Sequence, residues 1–368
     1  MVNKARKSLS KVQQIVVKCG TSSLTDKSGK LDTRALQNIC NQINTIMESG
    51  KSVTLVASGA IGAGMGELDL HERPDTLPML QAVAAVGQGQ LMRAFHDAME
   101  KHQKRVGQVL VDRSDFEHRT RYLNIRNTML ALHERHVLPI INENDAVSVD
   151  EIRFGDNDII AAHITNMLAA DLLIMLTTVE GIMHNGKVIS SVDSVEEAKN
   201  YIREDKSRLG SGGMVTKLAA AEMVTSAGEA AMIASAGTEK VLERILAGEN
   251  TGTFFKPSDR KLPSRKRWIG QASRPGGTIK VDQGAAEALV SRGKSLLPSG
   301  INEILGDFSP GDTVSILSPD GKEIARGLTN YDSKQLQAIM GKQSSEIDSI
   351  LGHKSYDEAI HRNNMTLM

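Results

Sequence analysis

The chain has 368 residues, enough for one large domain and a smaller second one. Lys+Arg and Asp+Glu each number 44 and aromatics make up 3%, which argues against a global polycation for nucleic acid and against a stacking platform for single-stranded bases. Cys19 and Cys40 form no CxxC pair and no disulfide framework, the basic segment MVNKARKSLSK leads into no apolar signal core, and no apolar run approaches the roughly 18 residues of a membrane span. These features lead us to expect a soluble cytoplasmic protein without a membrane partner.

Short apolar runs alternate with amphipathic segments. In chain order the strand candidates are QIVVK (14–18), SVTLVA (52–57), VGQVLV (106–111), VLPII (137–141), DLLIMLT (171–177) and AAMIA (230–234). Helical periodicity fills 32–48, 76–102, 119–135, 157–169, 195–204 and 214–227. This alternation predicts an α/β fold, a mainly parallel sheet sandwiched by helices through right-handed crossovers. Ligands of such sheets sit beyond the carboxyl ends of the strands.

The first predicted strand ends in Lys18 and runs into CGTSSL, a cation beside free backbone N–H groups that suits a phosphoryl group. The second ends in SGAIGAGMGEL, where Ser58 and Gly59 open a glycine-dense turn into a helix. Those glycines serve either a closely approaching ligand or helix packing through small residues. The turn matches neither the dinucleotide fingerprint nor a Walker A loop. After the fourth strand, residues 142–158 gather six carboxylates against Arg153 alone. Such crowding is destabilising unless cations offset it. Within this stretch Asn142, Asp145, Asp156, Asn157 and Asp158 are the candidate site residues. The last three stand at a helix start, where an N-cap is the alternative role. GSGGMVTK (210–217) is a second glycine-rich turn entering a helix, with Thr216 and Lys217 placed for a nucleotide's phosphates. His133 and His136, three apart without a third ligand, read as a solvated helix face, and no metal site is assigned.

The alternation ends near residue 255. Residues 257–274, rich in basic side chains and holding Pro257 and Pro263, read as a linker with a short strand at RKRWIG. Beyond Pro275 the short strands, the turns SPGD and SPDG, and the helical pattern YDSKQLQAIMG predict a small mixed-β domain over 275–368.

Taken together and in this order, VVKCGTSSL (16–24), ASGAIGAG (57–64), INENDAV (141–147), FGDND (154–158), GSGGMVTK (210–217), KRWIG (266–270), SLLPSGI (295–301) and HRNNM (361–365) resemble the glutamate 5-kinase family. That family belongs to the amino acid kinase superfamily and carries a C-terminal PUA domain. The resemblance implies a catalytic domain over 1–256 and transfer of the ATP γ-phosphate, with Mg²⁺, to the side-chain carboxylate of L-glutamate. The product would be L-glutamyl 5-phosphate for proline biosynthesis. It further implies that Lys18 and Lys217 stabilise the moving phosphoryl group and that Asp158 holds them. Ser58, Asp145 and Asn157 would bind glutamate, supported by Asn142 and Asp156. Nucleotide contacts would come from Lys18, Thr177, Thr178, Ser211, Gly212, Gly213, Met214, Val215, Thr216 and Lys217. Feedback inhibition by proline and assembly as a dimer or tetramer are also implied, with the PUA-like tail assigned to assembly or regulation rather than RNA binding. Family members usually carry Thr-Asp after the strand that ends here at Thr177. In this chain TTVEGIMHNGKV (177–188) puts Thr178 in place of the acid and shortens the following hairpin, while Ser211 replaces a commoner Thr. Two other readings stand beside this one: a sister kinase acting on another carboxylate, carbamate or phosphate acceptor, and an RNA-binding protein.

Overall fold

The computed structural model describes residues 4–26, 29–147, 157–204, 212–259 and 261–368. Asp156 and Ser211 lie outside the described residues. The chain divides into two compact units, Met1–Asp115 with Thr120–Lys261, and Phe116–Arg119 with Leu262–Met368.

The first unit is built on an eight-stranded sheet. Its strands are β1 (Gln14–Cys19), β2 (Ser52–Ala57), β3 (Val106–Val111), β4 (Leu138–Glu143), β5 (Leu172–Thr177), β8 (Ser191–Val192), β9 (Ala230–Ser235) and β10 (Thr253–Phe255), with a small hairpin of β6 (Met183–His184) and β7 (Lys187–Val188) beside it. The spatial order is β3-β4-β2-β1-β5-β9-β10-β8, parallel throughout except where β10 meets β9. β1, β2, β4 and β5 are nearly all buried, so they read as continuous apolar runs and not as alternating patterns. The helices are α1 (Thr21–Leu24), α2 (Thr33–Glu48), α3 (Ala60–Glu67), α4 (Leu77–Glu100), α5 (Arg113–Glu117), α6 (Arg119–Glu134), α7 (Asn157–Leu168), α8 (Val195–Glu204), α9 (Gly212–Ser226) and α10 (Val241–Leu246). α2 shows the usual amphipathic logic: Leu36, Ile39, Cys40, Ile43 and Ile46 face the core, and Asp32 caps its start by accepting from the backbone N–H of Arg34 and Ala35. α7 is different, buried on nearly every side.

α3 and α4 cross in backbone contact. A Cβ on Gly64 would lie 1.9 Å from the Val83 carbonyl oxygen, and one on Gly87 would lie 1.8 Å from that of Ala60. Any side chain at either position forces the helices apart. The helix-packing reading of the SGAIGAG glycines therefore holds at Gly64. Gly59 has another reason to be glycine, a φ of 109° at the turn that starts α3. The shortened hairpin turns at Asn185-Gly186, both at positive φ, the pair such a two-residue turn favours. His133 is not simply a solvated residue: its Nε2 lies 2.9 Å from Thr54 Oγ1 on β2, and burial lowers its pKa.

The second unit holds a five-stranded mixed sheet of β11 (Gly277–Val281), β12 (Ile301–Gly306), β13 (Thr313–Leu317), β14 (Glu323–Leu328) and β15 (Met365–Leu367), in the order β12-β11-β13-β14-β15. Only β11 and β13 run parallel. The YDSKQLQAIMG pattern becomes α13 (Ser333–Ile339; the unit's other helices are α11, Ser264–Arg267, α12, Gln283–Arg292, and α14, Ile347–Leu351), started by a capping box between Asp332 and Gln335. The expected strand at RKRWIG is instead α11 continued by a π-helical turn over Trp268–Ala272. From Leu262 onward the expected linker is folded into this unit. Arg267, Trp268 and Ile269 are buried, and the Trp268 indole N–H donates to the Phe116 carbonyl at 3.0 Å. Proline and basic content disguised an anchored aromatic. Among the described residues no helix is long and apolar enough to cross a membrane.

In the first unit Arg6 is fully buried and donates to the carbonyls of Glu249 (2.6 Å), Thr251 (2.7 Å), Gly252 (2.7 Å) and Ser190. Desolvation pulls its pKa down to about 10, so the guanidinium stays charged at neutral pH. Replacing Arg6 with Met removes charged donors from buried carbonyls, and we expect a loss of about 3 kcal/mol or more in urea unfolding with unchanged m.

Candidate active site

The site gathers at the carboxyl ends of the central strands. Lys18 sits one residue before the end of β1, in register with Val56 of β2 and Met175 of β5. Asp158 stands in the first turn of α7, and Lys217 in the second turn of α9. Lys18 Nζ is 2.9 Å from Asp158 Oδ1, and Lys217 Nζ is 3.0 Å from Asp158 Oδ2. Thr216 Oγ1 also donates to Oδ2 at 3.0 Å, and Lys217 Nζ donates to the Gly213 carbonyl at 3.2 Å. Lys18, Asp158 and Lys217 are 5%, 1% and 8% exposed.

Two ammoniums share one carboxylate, leaving one buried positive charge in excess. Burial alone would raise the Asp158 carboxyl, but Lys18 and Lys217 reverse the sign and hold it below the ordinary carboxylate value. Burial lowers Lys217; Asp158 pulls it back up and Lys18 pushes it further down. A buried surplus of positive charge at the start of two helices is complementary to an incoming phosphoryl group. Of the 210–217 turn, Gly212 opens α9, Gly213 and Val215 are exposed, and Met214 and Thr216 are half-buried.

Next to the ion triad lies a relay of side-chain amides. Asn157 Nδ2 donates to Ser58 Oγ at 2.9 Å and to Asn142 Oδ1 at 3.2 Å. Asn142 Oδ1 also accepts from the backbone N–H of Glu143 at 2.9 Å, and Asn142 Nδ2 donates to Gln88 Oε1 at 2.8 Å. The Glu143 backbone can only donate, so it fixes which end of the Asn142 amide is oxygen. That choice fixes Asn157 in turn. Asn157 Oδ1 is left buried with no partner among the described residues, and the Ser58 hydroxyl accepts, keeping its proton for another group. An unmet buried carbonyl costs roughly 1–3 kcal/mol, a cost that a bound donor would remove. The pair therefore presents one acceptor and one donor side by side, as an α-amino acid's ammonium and carboxylate require.

The structure thus joins Lys18, Asp158, Lys217, Thr216, Asn157, Ser58 and Asn142 into one constellation, and the N-cap alternative fits neither Asn157 nor Asp158, whose side chains engage Ser58 and the lysines. Asp145 is half-buried in the turn after β4. Thr177 closes β5 half-buried, and Thr178 is exposed. Gln88 escaped the sequence reading. It lies in the middle of a long helix, and only the neighbouring Gly87 in AAVGQGQ hinted that this turn of α4 meets another backbone.

The sequence model of the Amino acid kinase family matches residues 13–235, and that of the PUA domain matches residues 277–351. The chain is 43% identical over 363 residues to a glutamate 5-kinase of Caldanaerobacter subterraneus subsp. tengcongensis, covering 96% of this chain and 98% of the relative. It is 43% identical over 371 residues to one of Moorella thermoacetica (99% and 98% covered) and 42% identical over 364 residues to one of Trichormus variabilis (96% and 99% covered). Among solved structures, carbamate kinase from Giardia lamblia bound to AMP-PNP superposes with a TM-score of 0.50 at 19% identity, over 68% of this chain and 100% of that one, a likeness of fold. With two family models in the right order and full-length likeness above 40%, the chain belongs to the glutamate 5-kinase family.

Proposed function

We propose that the chain transfers the γ-phosphoryl group of ATP to the side-chain carboxylate of L-glutamate, giving L-glutamyl 5-phosphate for proline biosynthesis. The observation that carries this reading is Asp158 shared between two buried lysines beside a relay that presents one acceptor and one donor. The acceptor carboxylate is already an ionised nucleophile, so the protein needs no strong general base. Its work is alignment and charge stabilisation. Lys18 and Lys217 face the equatorial oxygens of the moving group, each contact contributing about 4 kcal/mol at 4 Å and an effective dielectric near 20. Asp158 holds both ammoniums in place. Asn157 Oδ1 accepts from the substrate ammonium, Ser58 donates to its carboxylate, and Asp145 adds negative charge near the ammonium. Thr177, Thr178 and the 211–217 turn contact the nucleotide. Mg²⁺ brought with ATP would supply further charge neutralisation, and Asp158, with a lysine on each of its oxygens, would not be the residue to hold it. Cytoplasmic location, feedback inhibition by proline and assembly as a dimer or tetramer complete the reading and rest on the family resemblance.

Hydroxylamine trapping of the acyl phosphate tests the reaction, with ATP, Mg²⁺ and a panel of glutamate, aspartate and N-acetylglutamate. Glutamate should be the only good acceptor. Equal turnover of N-acetylglutamate, which lacks the ammonium, would sink the assignment of Asn157 Oδ1. Lys217→Ala should lower kcat by roughly 10²-fold or more, the usual loss for one preorganised charge-stabilising donor. An ammonium with a lowered pKa loses its proton at lower pH than free lysine does. The pH profile of kcat should therefore stay level through neutrality and fall on the alkaline side earlier than the ordinary lysine value of 10.5. That alkaline limb should vanish from the residual activity of Lys217→Arg, since a guanidinium does not titrate there.

A further inference from the structure

The amide relay ends at Gln88, a residue that touches neither the ion triad nor Ser58 in any hydrogen bond described. Its Oε1 accepts from Asn142 Nδ2 at 2.8 Å, while its Nε2 is buried with no partner among the described residues. The described contact of Gln88 with the relay is made through that one oxygen. We propose that Gln88 is a positioning residue for the amino-acid acceptor. By holding Asn142 Nδ2, it keeps Asn142 Oδ1 on Asn157 and so keeps Asn157 Oδ1 and the Ser58 hydroxyl proton turned toward substrate. This rests on the substrate reading given above.

Two observations carry the inference. The Asn157–Asn142 contact, at 3.2 Å, is the longest bond of the relay, against 2.8 and 2.9 Å for the others. It is the bond that breaks first when Asn142 rotates to find another acceptor for an unpaired buried N–H. The second is placement. Gly87 meets α3 so closely that an added Cβ would lie 2.2 Å from the Gly64 nitrogen as well as 1.8 Å from the Ala60 carbonyl oxygen. Gln88 is thereby fixed against the same helix whose first turn follows Ser58, so both ends of the relay are referenced to one backbone crossing.

The test compares wild type, Gln88→Met and Gln88→Glu in the acyl-phosphate assay with ATP and Mg²⁺, alongside the rise in melting temperature that glutamate produces. Met keeps length but removes the oxygen. Glu keeps an oxygen where Oε1 stands. Gln88→Met should raise the glutamate KM roughly tenfold or more, leave the ATP KM within about twofold and kcat within about threefold, and shrink the glutamate-induced thermal shift. Gln88→Glu should hold the glutamate KM within about threefold of wild type. The inference is overturned if Gln88→Met leaves the glutamate KM within about twofold, if both variants are equally impaired, or if the KM values for glutamate and ATP rise together. Should Gln88→Met fail to fold, Gln88→Glu decides alone: a tenfold rise in glutamate KM counts against the inference. A wild-type protein that forms no acyl phosphate from glutamate defeats the substrate reading instead, a separately readable failure.

Discussion

Asp158 is bound through both oxygens by lysines that come from distant parts of the chain, one at the end of the first strand and one in the second turn of α9. Placing three charges so deep is expensive, and the arrangement persists because each charge satisfies another. The parallel sheet makes it possible. It delivers β1, β2, β4 and β5 side by side with their carboxyl ends at one level, and α7 and α9 start there. Removing the shared carboxylate would leave two buried ammoniums facing each other. The acid is therefore first a structural condition of the site.

The crowding of acids over residues 142–158 is partly resolved by this arrangement. Asp158 is offset by Lys18 and Lys217, which lie far away in sequence. Asn142 and Asn157, placed among those acids, do the neutral work of hydrogen-bond polarity. A backbone N–H at Glu143 decides the direction of that polarity. In the function proposed, recognition of an amino acid rests on a single unambiguous donor, passed along two amides whose orientation would otherwise be free.

Much of this was legible in the sequence because the signals were local. Continuous apolar strands such as QIVVK and VLPII, the 3.6-residue rhythm of 32–48, and residues just past strand ends all announce themselves within a few positions. What stayed hidden depends on contacts across the fold. Gln88 carries no motif; its role appears only when Asn142 is seen opposite. Gly87 is no more than a hint until the α3–α4 crossing sets it against the Ala60 carbonyl. His133 turned from a surface residue into a partner of Thr54 on β2. RKRWIG, a basic run leading into Trp268 and Ile269, invites a strand, but it is helical, with Trp268 buried and bonded to the Phe116 carbonyl. In each case tertiary packing overrode local preference.

The Arg6 clamp has a bearing on how the first unit ties down the end of its sheet. β8 is the last strand of the sheet, and the guanidinium draws together the carbonyl before it and three carbonyls just before β10. One side chain from the leading segment thereby fastens the approaches to two neighbouring strands, and without it those four carbonyls would lose the donor they share.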